Sequence, residues 1–87
     1  MQISFDPGKN EANIRSQGLL FSLVEPLDWS RAIIEEDLRH DDGDPRYLAP
    51  GHIDERLSAV VFTPRAGLIH VISLRNANVR EVKIYAQ

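Results

Sequence analysis

Arg75 and Arg80 stand five residues apart near the end of the chain, with Glu81 directly after the second. A guanidinium is a planar fork that grips two phosphate oxygens at once, so these two arginines are the first candidates for holding a phosphodiester. Arg46 and Arg65 are the next basic candidates, one opening an expected strand and one in an expected turn, and both could line the same face. Glu81 could act as a general base if its pKa were raised, although capping a helix would explain it without chemistry. His70, the one histidine in a strongly apolar run, has a side chain that titrates near neutrality. Its alternative reading is a half-buried histidine of the core. Surface solubility and salt bridging are the corresponding alternatives for the arginines.

Other chemistries fit poorly. With no cysteine, the chain has neither a disulfide nor a thiolate metal site nor a cysteine nucleophile. His40 and His52 lie near Asp41, Asp42, Asp44 and Asp54, but the spacing matches no known ligand pattern, so no metal and no other cofactor are expected. Ser73 has no convincing base and acid partner for nucleophilic catalysis.

The elements that must position these residues belong to one domain over residues 1–87, since 87 residues with 43% hydrophobic and 26% charged positions suffice for a single small core. The net charge of −3 conceals two poles. Residues 1–45 carry −6 and residues 46–87 carry +3, which leaves the second half free to meet an anion. No apolar run is long enough to span a membrane, and Met1 to Phe5 lacks the basic and apolar regions of a signal peptide. A cytoplasmic location is therefore expected.

Ile3 and Phe5 alternate with polar neighbours as in a short strand. Asp6-Pro7 is a helix start and Gly18 a helix stop, while Phe21, Val24 and Leu27 suggest a short second helix with Ser22 as its cap. Ala32–Glu36 reads as a strand, Leu38–Arg46 as a loop, and Arg46–Ala49 and Leu57–Thr63 as strands joined through Pro50-Gly51 and Asp54-Glu55. Pro64–Gly67 turns into a last strand, Leu68–Leu74. Asn78 and Glu81 form a capping-box pattern for a final helix carrying Val79, Val82 and Tyr85. The order is β-α-α-β-β-β-β-α, an α+β fold in which an antiparallel meander is covered by N-terminal helices and a C-terminal helix.

Four blocks in this order are similar to the BrnT toxins: Phe5-Asp6-Pro7-x-Lys9-x3-Asn13, Gly18 with Phe21, Arg46 with Gly51, and Ile72-Ser73-x-Arg75-x-Ala77-x3-Glu81-x3-Tyr85. The resemblance implies a RelE-like fold and a ribonuclease of a type II toxin–antitoxin system that cleaves RNA without metal and inhibits translation. It also implies a cognate antitoxin of the BrnA kind, a heterotetramer of two toxins and two antitoxins, and DNA binding only through the antitoxin. Such cleavage needs a base for the 2′-hydroxyl, an acid for the leaving 5′-oxygen and cations on the pentacovalent phosphorus. The catalytic candidates are Arg75, Arg80, Glu81 and His70; the RNA-binding candidates are Arg46, Arg65, Lys9 and Tyr85. Lys9 and Asn13, four apart on one helix face, also suit packing of that helix on the sheet, and Tyr47 and Tyr85 suit either base stacking or the core. Ser16 and Gln17 replace the family's usual Lys-His, and His70, Leu74, Asn76 and Val79 depart from it as well. Lost cations weaken phosphate binding, so the competing reading is a non-catalytic module that keeps the toxin fold and the antitoxin-binding surface.

Overall fold

A computed structural model describes residues 2–27, 29, 33–36, 45–53 and 55–85, the last by its backbone alone. Strands β1 (Ile3–Phe5), β2 (Glu35–Glu36), β3 (Tyr47–Ile53), β4 (Arg56–Arg65) and β5 (Leu68–Asn76) make one sheet in the order β1-β5-β4-β3-β2. Helices α1 (Pro7–Gln17) and α2 (Val79–Tyr85) and a 3-10 helix, Phe21–Val24, complete the described fold. The sheet is mixed: β2 to β5 run antiparallel in sequence, but β1 adds parallel to β5 at the edge. The expected meander is thus correct for four strands. A three-residue alternation carries no signal of its pairing partner, and β1 reaches β5 only through long-range closure.

Helix α1 is built by its ends. Asp6 Oδ1 accepts the Gly8 N–H at 2.8 Å, Pro7 occupies the first turn, and Gly18 at φ 71° donates its N–H to the Ile14 carbonyl at 2.8 Å. The contact of α1 with the sheet is polar, centred on Asn13, which is 7% exposed. Its Oδ1 accepts the Leu74 N–H of β5 at 3.1 Å while its Nδ2 donates to the Leu19 carbonyl at 2.8 Å. One turn earlier, Asn10 Oδ1 accepts the Phe21 N–H at 2.9 Å. Two asparagines therefore fix both the helix and the segment that follows it.

That segment corrects the expected second helix. Phe21–Val24 is 3-10, Leu20 is its N-cap without a side-chain bond, and Ser22 lies inside it. The three-residue spacing of Phe21, Val24 and Leu27 is the period of a 3-10 turn rather than of an α-helix. Strand β2 is also shorter than the expected Ala32–Glu36: Ile33 and Ile34 are exposed and unpaired in the sheet, and Ala32 lies outside the described residues, as does all of 37–44. Strand β3, conversely, runs through Pro50 and Gly51, which were expected to form a connection. Among the described residues β2 pairs only with Tyr47 and Leu48, which leaves β3 without a described neighbour on that side at Pro50, where proline is tolerated. Ala66 and Gly67, both at positive φ, form the two-residue link between β4 and β5.

The main hydrophobic cluster lies on one face of the sheet, while Ala59, Val61 and Thr63 of β4 are buried on the other. Phe21 and Val24 of the 3-10 helix pack with Ala49 and Ile53 of β3, Val60 and Phe62 of β4, and Val71 and Leu74 of β5. Helix α2 does not cover the sheet with the stripe expected for it, since Val79, Val82 and Ile84 are 73%, 43% and 53% exposed.

Candidate functional site

The face of the sheet opposite this core carries the candidate side chains. Alternation along β4 places Val60 and Phe62 in the core and Ala59, Val61, Thr63 and Arg65 on the other side. A break in register between Val61 and Phe62 then has a specific effect on β5. Val61 pairs with Ser73 and Phe62 with Val71, so Ile72 is the extra residue of a β-bulge. His70 and Arg75 are five apart and would face opposite sides of a regular strand. Across the bulge both project from the outer face, His70 beside Thr63 and Arg75 beside Ala59.

At one end of that face, Ser4 of β1, His70 of β5 and Thr63 of β4 form a row. The Ser4 hydroxyl lies 2.8 Å from His70 Nδ1, and Arg65 Nη1 lies 3.1 Å from His70 Nε2. A guanidinium only donates, so Nε2 is the acceptor and the proton of the neutral ring sits on Nδ1, directed at Ser4. Thr63 Oγ1 donates to the Pro45 carbonyl at 2.6 Å, which brings Arg46 to the β4 edge, in phase with the outward-facing positions of β3. Lys9 belongs to the same neighbourhood. The pKa of His70 is lowered from 6.5, first by desolvation, then by the Arg65 charge and more weakly by Lys9, with Asp6 opposing them.

Lys9 lies in the first turn of α1, which contains no acidic residue. A cation there opposes the helix dipole, at a cost of about 0.3–1 kcal/mol. Helix stability alone would have favoured a carboxylate.

At the other end of the outer face, Arg75 donates from Nη1 and Nη2 to the two Glu81 carboxylate oxygens at 2.7 and 3.0 Å. Glu81 also accepts the Asn78 N–H at 2.9 Å, and Asn78 Oδ1 accepts the Glu81 N–H at 2.8 Å. The capping box read from the sequence is therefore formed. Arg80 is exposed on α2, and the Tyr85 side chain lies outside the described residues. Thr63 and Ala59, the β4 partners of His70 and Arg75, are four residues apart, so the two ends are separated by ~13 Å.

Of the sequence candidates, the fold thus groups His70, Arg65 and Lys9, with Arg46 on the same row, and groups Arg75 with Glu81 elsewhere. Ser4 was not among the candidates; no spacing in the sequence announces its parallel pairing with β5. His70 is half-buried as expected but stands apart from the core. Tyr47 packs against Phe62 with ring centroids 5.8 Å apart, on the core side. Among the described residues no cluster of His, Asp or Glu could hold a metal; His40, Asp41, Asp42, Asp44 and Asp54 lie outside them.

The model of one family, described as the ribonuclease toxin BrnT of type II toxin–antitoxin systems, matches residues 5–81. The chain belongs to the BrnT family. No curated protein matches it. The matched span runs from the end of β1 to the carboxylate that caps α2, and so contains both ends of the outer face except Ser4. As a member of a type II toxin family, the BrnT chain has an antitoxin as its implied partner. No helix among its described residues is long and apolar enough to cross a membrane.

Proposed function

We propose that this BrnT protein cleaves RNA without metal on the outer face of its sheet, at the Ser4–His70–Arg65 end, with a RelE-like fold as its scaffold. One observation carries the reading: Arg65 and Lys9 lie near an imidazole held neutral with Nε2 as its acceptor atom. In the proposed reaction Arg65 turns from His70 to the scissile phosphate, which exposes Nε2. That nitrogen takes the proton of the 2′-hydroxyl as its oxygen bonds to phosphorus; the P–O5′ bond breaks, leaving a 2′,3′-cyclic phosphate, and the departing 5′-oxygen takes its proton from water. Arg65, Lys9 and Arg46 hold the phosphate oxygens as charge builds on them. Ser4 keeps the ring in the tautomer this step requires. Arg75 and Glu81 hold α2 on the sheet, and Arg80 follows the RNA backbone beyond the site.

Cleavage of cytoplasmic RNA inhibits translation, and a BrnA-like antitoxin suppresses it by covering this face in a heterotetramer; DNA is bound through the antitoxin. The test is inducible expression of the chain alone in a bacterial host, following growth and RNA integrity, with purified protein assayed in chelator. Arrest with RNA cleavage, relieved by His70→Gln and Arg65→Ala but kept in a folded Arg80→Ala variant, is the expected result. Normal growth with soluble folded protein overturns it and points to the non-catalytic antitoxin-binding module.

A further inference from the structure

A cavity of about 320 Å³ opens on the core side of the sheet, between the end of α1 and the β4–β5 ladder. Its volume is at the lower end of the roughly 300–1,000 Å³ typical of small-molecule sites. Leu19, Leu23 and Ile53 supply apolar walls, and Ser58, Asn76 and Arg56 the polar part of the lining. Ser58 and Asn76 are direct cross-strand partners on the core face. Ser58 is 1% exposed, and its hydroxyl has no hydrogen-bond partner among the described residues. A buried hydroxyl left unpaired in a polar-and-apolar cavity is unfavourable unless something completes it. Arg56 and Asn76 are exposed at the rim, so a modest shift of either side chain can open the way to it.

We propose that this cavity receives one unstacked nucleobase of the RNA substrate, an inference that rests on the ribonuclease reading and adds base selection to it. Aliphatic walls take the flat faces of the ring. Ser58 and Asn76 meet its hydrogen-bonding edge, and Arg56 meets the attached phosphate, which is how proteins commonly read single-stranded RNA.

The experiment is a titration of the isotope-labelled chain with each of the four ribonucleoside 5′-monophosphates and with inorganic phosphate, following the backbone amides of Ser58 and Asn76 by NMR. The expected result is saturable shifts at both amides with a spread of about tenfold in Kd between the best and worst base. Phosphate alone leaves Ser58 unmoved. Ser58→Ala keeps or raises the Tm yet reduces the spread to about threefold, the loss of one hydrogen bond. Asn76→Ala, at an exposed position, does the same. Unmoved amides, equal shifts with inorganic phosphate, or shifts caused only by an antitoxin peptide overturn the proposal. Base binding by a chain that cleaves nothing removes the ribonuclease reading alone; cleavage with silent amides removes the cavity alone.

Discussion

The two ends of the outer face use the same kind of residue in opposite ways. Arg75 is neutralised by a bidentate carboxylate that also caps a helix, so its charge is consumed in holding the fold together. Arg65 instead donates to a neutral imidazole, and Lys9 is kept close by against the helix dipole. In the proposed function the first arginine serves the architecture, and the second, with Lys9, meets the RNA. Residue type and sequence position put Arg75 first; the proposed function gives Arg75 the architectural role and Arg65 the phosphate.

The contrast is most sharply broken by removing Glu81. Glu81→Ala takes away the cap and leaves the Arg75 guanidinium, 29% exposed, without its partner. Between the values for surface and buried pairs, a loss of ~2 kcal/mol in stability is expected, visible as a lower Tm, with RNA affinity of the folded fraction unchanged. Arg65→Ala should instead act on binding, with an RNA-binding salt slope shallower by ~0.7 for the one lost phosphate contact. Equal slopes for Arg65→Ala and Arg75→Ala would erase the distinction between the ends.

Lys9→Glu sharpens the comparison within a single residue. Reversing the charge in the first turn removes one unfavourable and adds one favourable dipole interaction, so it should raise stability by about 0.6–2 kcal/mol while weakening RNA binding. A variant that is both less stable and equally active would show that Lys9 serves packing. The smallest effect concerns pH. Folding lowers the pKa of His70, so the unfolded chain binds more protons between the folded value and 6.5. Stability attributable to His70 is complete above pH 6.5 and declines as pH falls through that window. His70→Gln should flatten this part of a Tm-versus-pH curve, and an unchanged curve would rule the contribution out.

Much of this was legible in residue types and spacing. The Asp6-Pro7 start and Gly18 stop of α1, the Asn78–Glu81 box and the long β4–β5 hairpin all follow from local rules, and the four family blocks follow from order and spacing. What was not legible is long-range or depends on parity. Nothing near Ser4 signals that β1 lies parallel to β5. Alternation cannot anticipate an extra residue at Ile72, and without it His70 and Arg75 are assigned to opposite faces. The position of Asn13 on one face of α1 suits packing and hydrogen bonding against the sheet, and its bonds to Leu74 and Leu19 do this. The membership of Pro50 in a strand depends on how far β2 extends, which its own sequence does not encode.

The Glu81 carboxylate has one further consequence, for how the chain opens. At seven residues α2 is too short to persist as an isolated helix in water, and its bidentate tie to β5 runs through that one side chain. The Ala77 N–H, bonded to the Leu57 carbonyl at 2.9 Å, marks where the sheet's hold ends. Hydrogen exchange should therefore divide the molecule at this residue, with the amides of α2 exchanging through a local opening and those of β4 and β5 only through global unfolding. The C-terminal segment then acts as a clasp fastened in part by one carboxylate, released without disturbing the sheet beneath it.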